Sequence, residues 1–353
     1  MTAIYGLGLS CPLGRTSRAA VAAITAGLCR FQLIDTVLDL AGEAARASRM
    51  ASLPEEQPLE RALFFARDAL HEALTDVEPL GACEIPLYIA TGGPMQEAER
   101  ARLREALSDA APSNVTLRWV LNSISVGGRA AGGAALAAGI AALKNAPLVL
   151  VGGLDSQSAD STLAMLSANN MLLGDSNPDG RIPGEGAAFV LLGRPSALRT
   201  AAPLGFVTAV ASAVDPRPFA HPAPNQAAGL SEVFAALRNT RTTRVDRVVL
   251  AQSNERFWGT ELSLAYLRNV ELMPEPMVTR QLAFALGDCR AAAFPMALAW
   301  TVVDFHTRSA FARPHTPLRS ALVYASSDDG AVTGALLEAP QQHTTDAQAR
   351  RGS

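Results

Sequence analysis

The chain has 353 residues, of which 49% are hydrophobic, and its formal net charge at pH 7 is −3. This length predicts one large domain or two closely packed ones with a sizeable core, and a near-neutral charge without a basic block argues against nucleic acid or an anionic membrane as a partner. The four cysteines are scattered, with no CxxC and no metal-like spacing, so we expect free thiols, no metal and no cofactor.

Hydropathy and the first residues bear on where the protein is expected to work. No apolar run reaches membrane length without glycine or polar breaks, and no signal peptide precedes the first predicted strand at residues 3–9. We therefore expect a soluble, cytoplasmic protein that does not enter a membrane.

Strands and helices are predicted to alternate through the first half of the chain. The predicted strands are at residues 3–9, 85–91 and 117–121, and the predicted helices are at 18–26, 59–74 and 97–107. The mixed stretch 33–51 is predicted to be rich in loops. His71, on the second of these helices, is expected to be a surface or core histidine.

Residues 122–155 contain a loop, an apolar helix and a strand. Residues 134–143 are apolar on every face, which predicts a buried helix, and 148–151 form a short aliphatic strand. Ser125 stands near the predicted turn before this helix. Unpaired N–H groups and the helix dipole stabilise a developing anion there, so Ser125 is either a nucleophile or a helix cap.

The second half repeats the alternation. Its predicted strands are at residues 204–212, 245–251, 322–326 and 331–337, and its predicted helices are at 228–237, 259–267 and 286–306, while a further helix at 161–171 is predicted late in the first half. Glu185 lies between two glycines, which predicts a fixed corner with a buried carboxylate. Glu261 is placed in the first turn of its helix, where the dipole favours a negative charge. The proline-rich residues 215–226 form a predicted loop that carries His221.

Two apolar helices, one in each half, indicate an internal duplication. The first is at residues 130–143 and the second at 288–305. We predict an α/β protein with a first half at 1–195 and a second half at 196–340. The polar residues 341–353 are predicted to be a disordered tail.

Four motifs in order resemble the β-ketoacyl-ACP synthases of the thiolase superfamily. They are IYGLGLSCPLG from Ile4, LVLVGGLDSQ from Leu148, GRIPGEGAAFVLL from Gly180 and LAFALGDCRAA from Leu282. The resemblance runs from Ile4 to about Glu338. It implies a thiolase-like fold of duplicated βαβαβαββ halves in five α/β/α/β/α layers, and a dimer built through the strand at about Leu117–Leu121.

The family condenses acyl chains with a cysteine nucleophile, two histidines and a lysine, and the resemblance places other residues at these positions. Ser125 replaces the cysteine, Ser253 the first histidine and Phe284 the second, while the lysine falls on or next to Thr279. Phe284 would put an apolar ring where the reaction needs a proton donor. The loop that supplies an oxyanion N–H in the family is not recognisable at residues 326–330.

These replacements predict a degenerate site. A serine hydroxyl does not ionise as a thiol does and needs an adjacent base, and the loss of acid–base groups costs about 10²–10⁴-fold in rate for each group. We expect a pseudoenzyme that acts as a binding or assembly partner. The segment from Gly152 to Leu192 also resembles thiolase-like proteins of type VI secretion clusters, whose presumed role is as adaptors or co-chaperones in effector loading.

Two enzyme hypotheses stay open beside this one. The first is an acyltransferase or hydrolase that uses Ser125, with His221 or Glu255 as its base. The second is a β-ketoacyl-ACP synthase, or a chain-length-factor-like subunit of one, in fatty-acid or polyketide synthesis. A protein partner is expected if the protein is a pseudoenzyme that acts in binding or assembly. Acyl-ACP is a candidate partner in that hypothesis and in both enzyme hypotheses.

Overall fold

The computed structural model describes residues 1–53, 57–75, 82–198, 201–307 and 318–341. The strands are β1 Thr2–Ser10, β2 Phe31–Leu38, β3 Ala44–Ser48, β4 Cys83–Thr91, β5 Val115–Val126, β6 Leu148–Ser156, β7 Glu185–Gly193, β8 Gly205–Val214, β9 Arg247–Leu250, β10 Thr279–Gln281, β11 Ser320–Ser326 and β12 Ala331–Glu338. The helices are α1 Ser17–Thr25, α2 Pro58–Thr75, α3 Glu97–Ala110, α4 Ala131–Ala142, α5 Asp160–Ala168, α6 Ala228–Arg238, α7 Arg256–Arg268, α8 Ala283–Leu286 and α9 Ala293–His306.

The sheet topology shows the predicted duplication. Ten strands form one sheet, in the order β5–β4–β6–β7–β1 in the first half and β10–β9–β11–β12–β8 in the second. If the five strands that each half contributes to this sheet are numbered 1 to 5 along the chain, both halves have the order 3-2-4-5-1. The two half-sheets are continuous in one sheet because Thr2–Ile4 of β1 pairs antiparallel with Gly205–Val207 of β8.

Three hydrophobic clusters define five layers. In the central cluster, α4 and α9 pack between the two half-sheets. The second cluster packs α2 and α3 on the outer face of the first half-sheet, and the third packs α6 and α7 on the outer face of the second. This is the α/β/α/β/α arrangement that was predicted, and it explains why α4 is apolar on every face.

Glycine lets α4 approach the second half closely. A Cβ atom on Gly133 would lie 2.0 Å from Thr333 Oγ1, and one on Gly132 would lie 2.4 Å from Pro295 Cδ. Both distances are shorter than van der Waals contact, so only glycine fits at these positions. The start of α4 is therefore held against α9 and β12.

Several sequence-based predictions differ from the structure. The stretch 33–51, predicted to be loop-rich, contains the hairpin β2–β3, whose bulge between Ile34 and Leu38 hides the alternation expected of a strand. The helix predicted at 286–306 is interrupted at Gly287, where φ is +68°, and α9 begins at Ala293.

Other predictions concern the limits of the two halves. The predicted boundary at residue 195 lies in the connection between β7 and β8, and the division into two domains stays a prediction. Of the predicted tail at 341–353, residues 342–353 lie outside the described residues, as do His315 and His343.

The predicted buried carboxylate at Glu185 is confirmed. Its side chain and that of Arg61 are both fully buried, and Arg61 donates to both carboxylate oxygens, at 2.8 and 2.9 Å. The backbone N–H of Met50 and the hydroxyls of Ser156 and Ser158 also donate to this carboxylate. Because a buried charge is stable only when it is paired and hydrogen-bonded, this cluster fixes β7 against α2.

We predict that Glu185→Gln lowers the free energy of unfolding by about 3–5 kcal/mol, because it leaves the buried Arg61 guanidinium without a counter-charge. Urea denaturation measures the change. The control is Glu105→Gln on α3, whose side chain is 64% exposed and whose loss is expected to cost at most about 1 kcal/mol. Equal losses in the two variants would contradict the assignment.

Candidate functional site

Ser125 lies within β5, not at the turn before α4. It pairs with Ala90 of β4, it is half-buried, and among the described residues no side-chain hydrogen bond involves its hydroxyl. The strand continues to Val126, so the turn falls at Gly127–Ala130. The predicted position of Ser125 at the helix N-terminus is therefore wrong, because the strand runs further than the predicted 117–121.

The N-terminus of α4 is capped by a residue from the other half of the chain. Ala130 precedes the first helical residue, and its backbone N–H donates to Ser327 Oγ at 2.8 Å. Ser327 lies in the turn between β11 and β12, and a Cβ on Gly128 would lie 2.7 Å from its hydroxyl. One helix N–H that would otherwise stabilise an anion is thus already bound to a serine hydroxyl.

A network of five charged side chains, all buried except the partly exposed Asp328, surrounds this helix start. Arg129 donates to Asp288 at 2.9 and 2.6 Å and to Asp328 at 3.0 Å. Arg181 contacts Asp328 at 2.7 Å, Asp288 at 3.4 Å and Glu255 at 2.6 Å. Both cations come from the first half of the chain and all three carboxylates from the second, so every pair crosses between the halves.

The network fixes the charge state of its members. Burial raises the pKa of Asp288, but the charges of Arg129 and Arg181 outweigh burial and hold this pKa well below its ordinary value. The same balance lowers the pKa of Asp328. Both aspartates are therefore ionised at neutral pH and neither is suited to donate a proton.

Aromatic side chains cover the two arginines. The Arg129 guanidinium lies 4.9 Å from the Trp258 ring centroid, and that of Arg181 lies 5.4 Å from the Phe219 ring centroid. Phe219 and Trp258 stack with centroids 5.6 Å apart. Phe219 belongs to the predicted loop 215–226, in which His221 is exposed and its Nδ1 accepts the Ala223 N–H at 3.0 Å.

The other predicted site residues are not assembled as the resemblance implies. Ser253 is buried, and its hydroxyl has no hydrogen-bond partner in the described part of the chain. Thr279 is exposed on β10, where it pairs with Val248. Phe284 is 70% exposed. The one-turn helix α8 turns this side chain to the surface.

Glu255 and Glu261 take positions that the sequence did not reveal. Glu255 occupies the position before the first residue of α7. Its carboxylate accepts Trp258 Nε1–H at 3.1 Å and pairs with Arg181, so it is not a free base. Because α7 starts at Arg256, Glu261 lies in the second turn and is 1% exposed. Burial raises its pKa to about 7, and Gln252 Nε2 donates to it at 3.4 Å.

Metal-binding clusters and membrane-spanning helices are both absent from the part of the chain that the structure describes. No group of three or more His, Cys, Asp or Glu side chains there could hold a metal ion. No described helix combines the length and apolarity that a membrane span requires.

Glu261 generates a pH prediction. Its folded-state pKa of about 7 exceeds the ordinary 4.5, so the folded protein holds the proton more tightly, and its contribution to stability falls as pH rises from about 4.5 to about 7. The loss is on the order of 3 kcal/mol. We expect Glu261→Gln to remove this part of the pH dependence in denaturation at pH 4.5, 6 and 8.

The control for this prediction is Glu271→Gln, whose side chain is 77% exposed. It should keep the wild-type pH profile. A Glu261→Gln profile parallel to the wild type over the same range would contradict the assignment.

Comparison with known proteins gave matches among solved structures. No protein-family model matches the sequence, and no curated protein matches it. A type II polyketide synthase acyl-carrier protein in complex with its ketosynthase, bound to the hexaketide, aligns with a TM-score of 0.75 and 14% identity, over 96% of this chain and 99% of that chain.

Two further solved structures align over the same share of both chains. The ishigamide ketosynthase/chain length factor has a TM-score of 0.71 and 18% identity, over 96% of this chain and 99% of that one. A β-ketoacyl synthase from Burkholderia phymatum STM815 has a TM-score of 0.69 and 16% identity, also over 96% and 99%. These likenesses, together with the duplicated topology, give this chain the thiolase-like α/β fold seen in ketosynthases and chain length factors.

Proposed function

We propose that this protein is a catalytically degenerate member of its fold that acts as a binding or assembly partner. The observation that carries the proposal is the start of α4, where Ala130 stands and the Ser327 hydroxyl accepts the helix N–H at 2.8 Å. A nucleophile that used the positive end of this helix would need that N–H and an open position in front of it.

The chemistry of the surrounding residues supports the proposal. Acyl transfer by a serine requires a base within hydrogen-bond reach of the hydroxyl. Glu255, one base considered for Ser125, is paired with Arg181, and the ring of the other, His221, is bound within its own loop. The carboxylates nearest the start of α4, Asp288 and Asp328, are neutralised by the two arginines.

The proposal extends to partners and location. We infer a protein partner in the cytoplasm, with the protein acting as an adaptor or co-chaperone, for example in effector loading for type VI secretion, in line with the sequence resemblance. We also infer self-association through the edge strand β5, which includes the predicted segment Leu117–Leu121. Acyl-ACP is a further candidate partner, because one solved structure of this fold contains an acyl-carrier protein bound to its ketosynthase.

A second candidate function is a chain-length-factor-like subunit that pairs with an active ketosynthase. The observation that favours it is the alignment with a ketosynthase/chain length factor over nearly the whole length of both chains. If this chain catalysed acyl transfer in this or another role, Ser125 would be its candidate nucleophile.

The proposal predicts that the purified protein does not become acylated. After incubation with acyl-CoA and with acyl-ACP, intact mass spectrometry should show only the unmodified mass, because no described residue supplies a base to Ser125. An active ketosynthase, incubated in parallel, verifies that the acyl donors are competent.

Two variants identify the group if an adduct forms. A stoichiometric adduct that disappears in Ser125→Ala would contradict the proposal and assign an acyl-transfer enzyme. An adduct that persists in Ser125→Ala but disappears in Ser327→Ala would also contradict it and would assign the hydroxyl at the start of α4.

A further inference from the structure

The loop of residues 215–226 is held closed against backbone strain. Ala220 within the loop and Ala227 directly after it have φ of +68° and +52°. A residue with a β-carbon adopts this left-handed conformation only at a cost, so contacts with the rest of the molecule must hold the loop in place. Surface loops are also the segments of a folded protein that open at the lowest free energy.

Two sets of contacts hold this loop closed. At its start, the carboxylate of Asp215 accepts the backbone N–H of Arg217 and that of Gly229, both at 2.9 Å. At its centre, the ring of Phe219 stacks on that of Trp258 with centroids 5.6 Å apart. Because Trp258 is the third residue of α7 and is only 2% exposed, the loop covers the first turn of this helix.

Glu261 lies three residues beyond Trp258 on α7, and side chains at this spacing are neighbours on one face of a helix. It is 1% exposed, its carboxylate accepts Gln252 Nε2–H at 3.4 Å, and it forms no ion pair with the described residues. The charged and titratable groups that face it from the surrounding elements are Asp215 after β8, Arg129 before α4 and Tyr324 on β11. The single cation among these, Arg129, is already paired with two aspartates.

Ionisation of Glu261 is costly while the loop is closed. Burial opposes the negative charge, and the charge of Asp215 opposes it further, so the pKa of Glu261 is raised from 4.5 to about 7. The strands and α7 around this carboxylate belong to a packed core, whereas the loop is a surface segment. Water therefore reaches Glu261 at the lowest cost when the loop moves away from α7.

We propose that Glu261 is a proton-controlled latch for the loop of residues 215–226. The loop stays closed while Glu261 is protonated, and it opens when Glu261 is ionised, because opening hydrates the carboxylate and releases the backbone strain. Opening also moves Phe219 away from the Arg181 guanidinium, which lies 5.4 Å from its ring centroid in the closed loop. This inference does not depend on the proposed function, since the latch would operate in a binding partner and in an enzyme alike.

The direction of the pH effect follows from linkage. The closed state holds the proton more tightly than the open state, in which the pKa of Glu261 returns toward 4.5. The closed state is therefore fully favoured below about pH 4.5 and becomes less favoured as pH rises through about 7. Because each unit of pKa difference is a factor of about ten, the ratio of open to closed loop should rise at least about 10-fold between pH 5 and pH 8.

Hydrogen–deuterium exchange of the full chain, measured by mass spectrometry on peptides that cover residues 215–229, reports this ratio. After correction for the intrinsic effect of pH on exchange, protection of these amides should fall at least about 10-fold from pH 5 to pH 8. Peptides from β7 should stay protected at both pH values, which separates opening of the loop from global unfolding. Glu261→Gln, which cannot ionise, should keep the loop protected at both pH values.

Three further variants serve as controls. His221→Gln removes the titratable ring of the loop itself, which is exposed, and should keep the pH dependence. Glu271→Gln, at a side chain that is 77% exposed, should keep it as well. Phe219→Ala removes the stack on Trp258 and should leave the loop poorly protected even at pH 5, a result that does not require Glu261→Gln to fold.

Four outcomes would overturn the inference. They are a wild-type loop whose protection does not change with pH, a fall in protection that persists in Glu261→Gln, a fall that is lost in His221→Gln, and a loop that stays fully protected in Phe219→Ala. The third outcome would assign the pH response to the histidine of the loop. An acyl adduct would contradict the non-catalytic proposal and leave the latch standing, so the two failures are distinguishable.

Discussion

The buried pair of Arg129 and Asp288 is the interaction on which the centre of this molecule depends. Its side chains are each 2% exposed and come from residues 159 positions apart in the sequence. Removing two charges from water is costly, and the cost is offset only when geometry and further hydrogen bonds are good. Asp328 and Arg181 supply those further contacts, which gives a network instead of an isolated pair.

This network joins the two halves of the duplicated fold, whose half-sheets pair over a short stretch. β1 and β8 share only three residue pairs, so most of the contact between the halves is through the α4–α9 layer and the charged side chains at its edge. Because the cations belong to one half and the carboxylates to the other, the electrostatic attraction acts across the boundary. The Ser327 cap on α4 adds a hydrogen bond across the same boundary, because Ser327 belongs to the second half and Ala130 to the first.

The same arrangement bears on function. A helix N-terminus in the middle layer is a suitable place to stabilise a developing anion. Here the position is occupied by a capping hydroxyl, and the charged groups around it are paired with one another. A protein built in this way keeps the thiolase-like fold as a rigid support. We propose that it functions by binding partners at its surfaces, including the edge at β5.

Much of the fold was predictable from the sequence, because it depends on local patterns. The apolar residues 134–143 and the glycines before them predicted the central helix, and the Gly-Glu-Gly corner predicted a buried carboxylate. The hairpin β2–β3 was missed because its irregular alternation resembles a loop. The exposure of Phe284 was not predictable, because an apolar side chain gives no information on whether a one-turn helix exposes it.

The site was less predictable, because its interactions are between distant residues. Nothing local to Arg129 indicates that Asp288 is its partner. The predicted strand ends at residue 121 and so puts Ser125 at the turn, whereas in the structure residues 122–126 extend the strand past Ser125. The burial of Glu261 was not predictable from the sequence around it, because its contacts with Gln252 and Ser326 are made between distant parts of the second half.

A double-mutant cycle on Arg129→Met and Asp288→Asn tests the central claim most directly. Free energies of unfolding are measured for the wild type, both single variants and the double variant. If the buried pair joins the halves, each single variant loses about 3–5 kcal/mol and the coupling energy exceeds about 1 kcal/mol. Losses that add within about 0.5 kcal/mol would contradict the account, because the two side chains would then act independently.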